Sequence, residues 1–228
     1  MEKNKPISVA FEDIRNNPDF IEHSEYRFIN DDLGMVISFQ AMGFRLFRTQ
    51  QPYRAKEGRI VRIMQGKGRI SINLIEYEAT AHDIIIIPDN SLIEISEVSP
   101  DYEFQVIMPT ANFLPVLQNS ILSEAYTRNG IRLSCNNEEW AHISSFFSLL
   151  WNILHCLPYR RGAVQHLIVS LLYNLKYIHE HTCKSTPPGR AIPPLHRFGE
   201  PTQQARTQRQ LLCRQTMPDT ALSELGDT

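Results

Sequence analysis

Histidines and cysteines carry most metal and nucleophile chemistry, and this chain places them poorly for either. A metal site inside a small strand barrel needs several imidazole, thiolate or carboxylate ligands converging on one point. Between Met35 and Met108 there is one histidine, His82, beside Asp83 at a turn. The single His-x-His, His179-Glu180-His181, ends a helical stretch. Helical residues two apart point about 200° away from each other and cannot share an ion. The cysteines (Cys135, Cys156, Cys183, Cys213) include no close pair, which fits a reducing cytosol rather than a disulfide scaffold or a zinc site. Cys135 lies near a predicted helix start, which would lower its pKa, but it has no identifiable partner histidine. No G-x-S-x-G elbow or phosphate loop occurs, and Gly66-Lys67-Gly68 is too short to cradle a phosphate. Glu138-Glu139 suits a helix N-terminus, and Glu76 with Glu78 a solvated strand face. The expectation is no catalytic residue, no metal, no cofactor and no enzyme.

Binding remains, and binding needs a concave face. Residues 30–110 read as short strands broken by turns: Met35–Phe39, Phe44–Phe47, Ile60–Met64, Arg69–Tyr77, Ile84–Ile87, Leu92–Val98 and Tyr102–Met108. Gln65-Gly66-Lys67-Gly68 predicts a hairpin turn, since glycine supplies positive φ. Ile70-Ser71-Ile72-Asn73-Leu74 alternates strictly, giving one apolar face. The four consecutive isoleucines at 84–87 predict a strand buried on both faces. The last strands read as a meander. Six or seven strands at such spacing indicate a barrel or sandwich. A barrel interior that mixes apolar walls with a few polar groups is a natural small-molecule pocket. The polar candidates are Gln40, Arg45, Arg62, Ser71 and Asn73, and each could equally face solvent.

The period then changes. A helix is predicted to start near Ser134–Asn136, with an apolar stripe through Trp140, Ile143, Phe146, Phe147, Leu150, Ile153 and Leu154, and Pro158 stops it. A second runs over Arg161–His181, with Leu171 and Leu175 on its stripe, and a short loop makes the two antiparallel neighbours. Both stripes are broad. Trp140, Phe147, Trp151, Leu154, Leu171 and Leu175 are therefore candidates for a homodimer interface, against the simpler reading of two helices packed on the barrel. Residues 184–228 hold six of the fourteen prolines, five glutamines and a single aromatic, Phe198. Such a segment buries too little to offset its conformational entropy and is expected to be disordered. The whole chain of 228 residues has 23 Lys+Arg against 25 Asp+Glu, which excludes a nucleic-acid surface over its full length. It has no apolar run long enough to span a bilayer and no apolar signal core at its start, so a soluble cytoplasmic protein is expected.

The segment Gly58–Tyr77, with its Gly66-Lys67-Gly68 turn, followed by His82-Asp-Ile-Ile-Ile-Ile-Pro-Asp-Asn-Ser91, resembles a cupin-type sensor domain. It is similar to the N-terminal part of AraC-type transcription regulators, particularly those of Bacteroidetes. Pro88-Asp89-Asn90 stands where cupins often have Pro-x-Gly, and Ile93 where a metal-binding cupin places its later histidine. Those departures fit a metal-free sensor. The resemblance implies a mainly β fold with helices: an N-terminal arm (1–29), a cupin-like β-barrel sensor (30–110), an antiparallel two-helix dimerisation unit (111–182) and a tail (183–228). It also implies a small-molecule effector and a homodimer.

The family continues into a domain of two helix-turn-helix units that reads promoter DNA, and no such pattern can be placed in 183–228. Shifted by one base, the codons for Met217–Asp227 permit the string C-L-T-P-R-Y-L-S-S-V, and those for Leu211–Thr216 permit F-A-D-R-L. Both resemble the family's recognition region, so a frameshift is expected there. The tail has six basic and four acidic residues, so no specific DNA binding is expected from this chain. The expected function is the ligand-sensing and dimerising portion of an AraC-type regulator. The alternatives are a stand-alone cupin-like binding protein and, less favoured, a cupin enzyme such as an isomerase.

Overall fold

The computed structural model describes residues 5–18, 24–42, 48–110, 112–113 and 130–185. The chain divides into Met1–Thr186 and Pro187–Thr228; the second unit and the expected frameshift lie outside the described residues, as does the expected disordered tail beyond Ser185, while residues 183–185 continue the last helix instead. The strand expected at Phe44–Phe47 also lies outside the described residues.

The described part is mainly β. Its strands are β1 (Ile7–Val9), β2 (Arg27–Ile29), β3 (Leu33–Val36), β4 (Pro52–Ala55), β5 (Arg59–Gln65), β6 (Lys67–Ile72), β7 (Ile75–Thr80), β8 (Asp83–Ile87), β9 (Ser91–Val98), β10 (Glu103–Pro109) and β11 (Ile131–Ser134). The helices are α1 (Phe11–Arg15), α2 (Phe39–Met42), α3 (Asn137–Leu154) and α4 (Arg161–Ser185). Two sheets form, in the orders β1-β4-β9-β6-β7 and β11-β8-β5-β10-β3-β2. Ladders are antiparallel except β1 on β4. The sheets do not join into a closed barrel.

The isoleucine run shows how the layers arise. Successive strand residues point to opposite faces. Ile85 and Ile87 of β8 enter the inner core with Val61, Ile63, Ile70, Ile72 and Val106. Ile84 and Ile86 enter a second core with Ile60, Ile107, Ile131 and Leu133, together with Ile143, Phe147, Leu150 and Leu154 of α3 and Val164, Ile168, Leu171 and Leu175 of α4. The six-stranded sheet is thus buried on both faces, and burying each isoleucine contributes about 2 kcal/mol.

The helix start is where the sequence places it. The Asn136 side chain accepts the Glu139 N–H at 2.9 Å and Glu139 accepts the Asn136 N–H at 2.8 Å, a reciprocal cap. The helical stripes, however, are largely covered by the chain's own sheet. Phe147, Leu154, Leu171 and Leu175 are only 0–3% exposed, so these four candidates for a subunit interface belong to the internal core. Trp140 and Trp151 are partly buried against the same core.

Several turns differ from expectation. The Met35–Phe39 run is not one strand: β3 ends at Val36, and the Glu103 carboxylate accepts the N–H groups of Phe39 (2.6 Å) and Gln40 (3.2 Å) and the Ser38 hydroxyl (3.0 Å), which starts α2. Gln65–Gly68 is a sharp turn but not a hairpin, because it carries the chain from one sheet to the other. Gly66 has φ +79, and a Cβ there would meet Ser99 Oγ at 2.6 Å and Tyr102 Cα at 2.7 Å. The β9–β10 connection crosses between sheets in the same way, so those strands are not a meander. Arg69–Tyr77 is two strands, since Asn73 and Leu74 both take positive φ (49° and 69°) and join β6 to β7 as a hairpin. Ile131–Ser134, grouped with the helices in sequence, is an edge strand whose Ile131 and Leu133 face inward.

Candidate functional site

Between the sheets lies an apolar cavity of about 70 Å3. Its wall is built by the inward residues of several elements: Ile14 of α1, Val36 of β3, Val61 of β5, Ile70 of β6, Ile87 of β8, Ile93 and Ile95 of β9, and Phe104, Val106 and Met108 of β10. Phe39 joins them because the Glu103 cap sets α2, and its ring stacks on Phe104 with centroids 4.1 Å apart. A space of this size holds only on the order of five water-sized groups. It suits a slim apolar molecule.

The lining includes two residues with polar side chains, Arg59 and Tyr102, although the surface it presents is almost wholly apolar. Arg59 opens β5 in phase with Val61 and Ile63 and is 6% exposed. Burial pulls its guanidinium down to about 10, opposed by the nearby Glu57 carboxylate, so it stays cationic at neutral pH. Tyr102 is 1% exposed. Its hydroxyl is buried and makes no hydrogen bond among the described residues. Burial, and then the charge of Asp83, push its ionisation upward, keeping it a neutral donor. The Asp83 carboxylate is itself occupied by the Thr80 N–H (2.7 Å) and hydroxyl (3.1 Å), two nitrogens of Arg132 (2.8 and 3.3 Å) and the Ser134 hydroxyl (2.5 Å).

The polar residues singled out from sequence lie elsewhere. Gln40 is exposed and donates to the carbonyls of Pro100 (3.2 Å) and Tyr102 (3.4 Å). Arg62 is buried on the helix-facing side of β5. It donates to Gln105 Oε1 at 2.7 Å, with its guanidinium over the rings of Phe147 (4.6 Å) and Trp140 (5.1 Å). Ser71 sits between the inward Ile70 and Ile72 and faces away from the cavity. Asn73 pins its turn, accepting the Leu92 N–H at 2.8 Å and donating to Ser91 Oγ at 3.3 Å. Arg45 lies outside the described residues. None of the four that are described is among the lining residues. Arg59 and Tyr102 went unselected, although Arg59 shares the i, i+2 phase of Val61 and Ile63, a signal present in the sequence.

Among the described residues no three His, Cys, Asp or Glu side chains stand together as a metal site, and no described helix is long and apolar enough to cross a membrane.

No family model matches the chain, and no curated protein matches it. Solved structures do. ToxT from Vibrio cholerae is 13% identical over 55% of this chain and 49% of that chain, with a TM-score of 0.34. Unsaturated fatty acid bound wild-type ToxT from Vibrio cholerae strain SCE256 is 12% identical over 68% of this chain and 57% of that one, with a TM-score of 0.40. The EutQ protein of Clostridium difficile is 17% identical over 38% of this chain and 66% of that one, with a TM-score of 0.28. The chain thus spans about half the length of the ToxT structures that it matches. At such TM-scores these likenesses bear no weight, and the functional reading rests on the chain's own residues.

Proposed function

We propose that this chain is the ligand-sensing and dimerising part of an AraC-type transcription regulator, and that it takes a small apolar acid between its two sheets. The observation that carries the reading is the apolar cavity with the buried Arg59 side chain among its lining residues. A cation at the margin of an apolar space stabilises an anionic head, and charge-assisted hydrogen bonds to carboxylate are about twice as strong as neutral ones. The surrounding isoleucines and valines favour a hydrocarbon body. The described wall offers no carboxylate, imidazole or thiol, which supports binding rather than acid–base or nucleophilic chemistry. The regulator assignment is supported by the resemblance over residues 58–91 and by the order of strands followed by two long helices.

Calorimetric titration of the full chain with butanoate and butanol tests the reading. Butanoate is expected to bind at least about tenfold more tightly than butanol, and Arg59→Met to abolish the difference. Equal affinities for the acid and the alcohol in the wild-type chain would overturn it without reliance on any variant.

A further inference from the structure

We propose that the cavity has one movable wall: Phe39 sets the breadth of the apolar ligand it takes, and the Glu103 carboxylate latches Phe39 in place through α2. A ligand as broad as a benzene ring is accommodated by opening that latch. The inference rests on the cavity and on α2, not on the charge of Arg59.

Most of the lining stands on β3, β5, β6, β8, β9 and β10. Those strands are paired with their neighbours, so displacing a wall residue there would break several ladder hydrogen bonds at once. Ile14 stands on α1, which is tied at both ends, by the β1–β4 ladder before it and the Arg15–Asp31 pair at 2.6 Å after it. Tyr102 is pinned against Gly66 and Gly68, where an added Cβ would come within 3.0 Å of it. Phe39 is mounted differently. It opens α2, a helix of four residues, too short to satisfy its own N–H groups. One carboxylate does so instead. Glu103 of β10 accepts the N–H of Phe39 at 2.6 Å, that of Gln40 at 3.2 Å and the Ser38 hydroxyl at 3.0 Å. Ser38 Oγ in turn accepts the Ala41 N–H at 3.3 Å, and the Gln40 side chain adds bonds to the carbonyls of Pro100 and Tyr102. Glu103 is half-buried and part of this cap is exposed, so water can replace these bonds as α2 swings away. Buried ladder bonds have no such substitute.

Size makes that difference matter. A dry cavity of about 150 Å3 lined by leucine, isoleucine and phenylalanine takes benzene or xenon. At about 70 Å3 the space here is roughly half of that, enough for a xenon atom and short of a six-membered ring. The Phe39 ring, 4% exposed and stacked on Phe104, occupies the room such a ring needs. A ligand that requires the open arrangement binds with an affinity lowered by the fraction of molecules that hold it. Weakening the latch raises that fraction and tightens such a ligand, whereas general damage to the wall changes the binding of every ligand.

Xenon and benzene are titrated into the full chain and its Glu103→Gln variant, with binding followed by NMR. Glutamine keeps the length of the side chain but turns one acceptor oxygen into an N–H donor facing other donors. Glu103→Gln is expected to bind benzene about three- to tenfold more tightly than wild type does, with xenon within about twofold. In a Phe39→Ala background, where no ring has to move, the same substitution should leave benzene binding unchanged. Benzene held equally or more weakly by Glu103→Gln overturns the inference, and so does an equal gain for xenon, which marks a loosened core rather than a freed wall. A gain that persists without the Phe39 ring also overturns it, because Glu103 then acts elsewhere. Should Glu103→Gln fail to fold, Ser38→Ala, which removes one bond of the latch, decides on the same comparison, with benzene about two- to threefold tighter expected. These failures leave the reading of Arg59 standing. A wild-type chain that binds no xenon has no usable cavity, which overturns the proposed function and the inference together.

Discussion

Arg59 and Arg62 are three positions apart on β5, both nearly fully buried, and they do different work because strand side chains alternate. Arg59 reaches the cavity, whereas Arg62 lies under α3 between Trp140 and Phe147. Burial draws both guanidiniums down to about 10, which leaves each charged at neutral pH. The same reasoning reverses the expectation for Cys135. Its place ahead of a helix argues for an activated thiol, but burial, and then the charges of Glu139 and Asp83, push it up to about 12. At pH 8 its alkylation by iodoacetamide is expected to run on the order of a thousandfold slower than that of free cysteine. Peptide mapping of the modified chain gives the rate, and a value within tenfold of free cysteine would contradict the assigned environment. Residue identity was legible for Asn136, which caps a helix. It was not for Arg59, because β5 is apolar on both faces and alternation alone does not say which face is the cavity.

Among the elements, the turns decide the topology. Gly66 turns the chain so tightly that β5 and β6 join different sheets, while Asn73-Leu74 makes the hairpin. Leu74 is the weak residue of that hairpin, with φ +69 and 83% exposure. A leucine in the left-handed region is strained, and its exposed side chain contributes little burial. Leu74→Gly is expected to stabilise the chain by about 0.5–1 kcal/mol, since a two-residue turn of this kind prefers Asn-Gly. Urea denaturation measures it, and an unchanged or lowered midpoint would show that Leu74 makes contacts beyond the turn. Strands β5, β8, β9 and β10 were legible from apolar and β-branched runs, and both long helices from their period, whereas the short strands β1, β2, β4 and β11 were not. The sheet partners were not, because the glycine turn at 65–68 reads as a hairpin whether the strands it joins pair or part. The alternation through Ile70–Leu74 likewise hid a turn, since Asn73 fits a strand pattern as a polar residue and a turn as an Asx.

For the whole molecule, the consequential feature is the shared six-stranded sheet. Ile85 and Ile87 face the inner core that holds the cavity, while Ile84 and Ile86 touch the helices. One layer of strands therefore separates the cavity from α3 and α4. If the helices also join two copies, the joining surface must be what the sheet leaves uncovered. Phe147, Leu154, Leu171 and Leu175 are not available for that role, as they are 0–3% exposed. On α4, Tyr173 and Tyr177 are 54% and 61% exposed and four residues apart, so they share a face; on α3, Leu149 is 49% exposed. Exposed apolar side chains grouped in this way mark interfaces more often than isolated ones do. Sedimentation velocity at tens of micromolar is expected to find a dimer. Tyr173→Glu with Tyr177→Glu should yield a folded monomer, because both side chains already project from the chain's own core. Leu175→Asp should unfold the chain instead, since it buries a charge where a fully covered leucine packed. A wild-type monomer would sink the dimer. A dimer that survives both glutamates would move the interface away from this face of α4, to surfaces the two tyrosines do not reach.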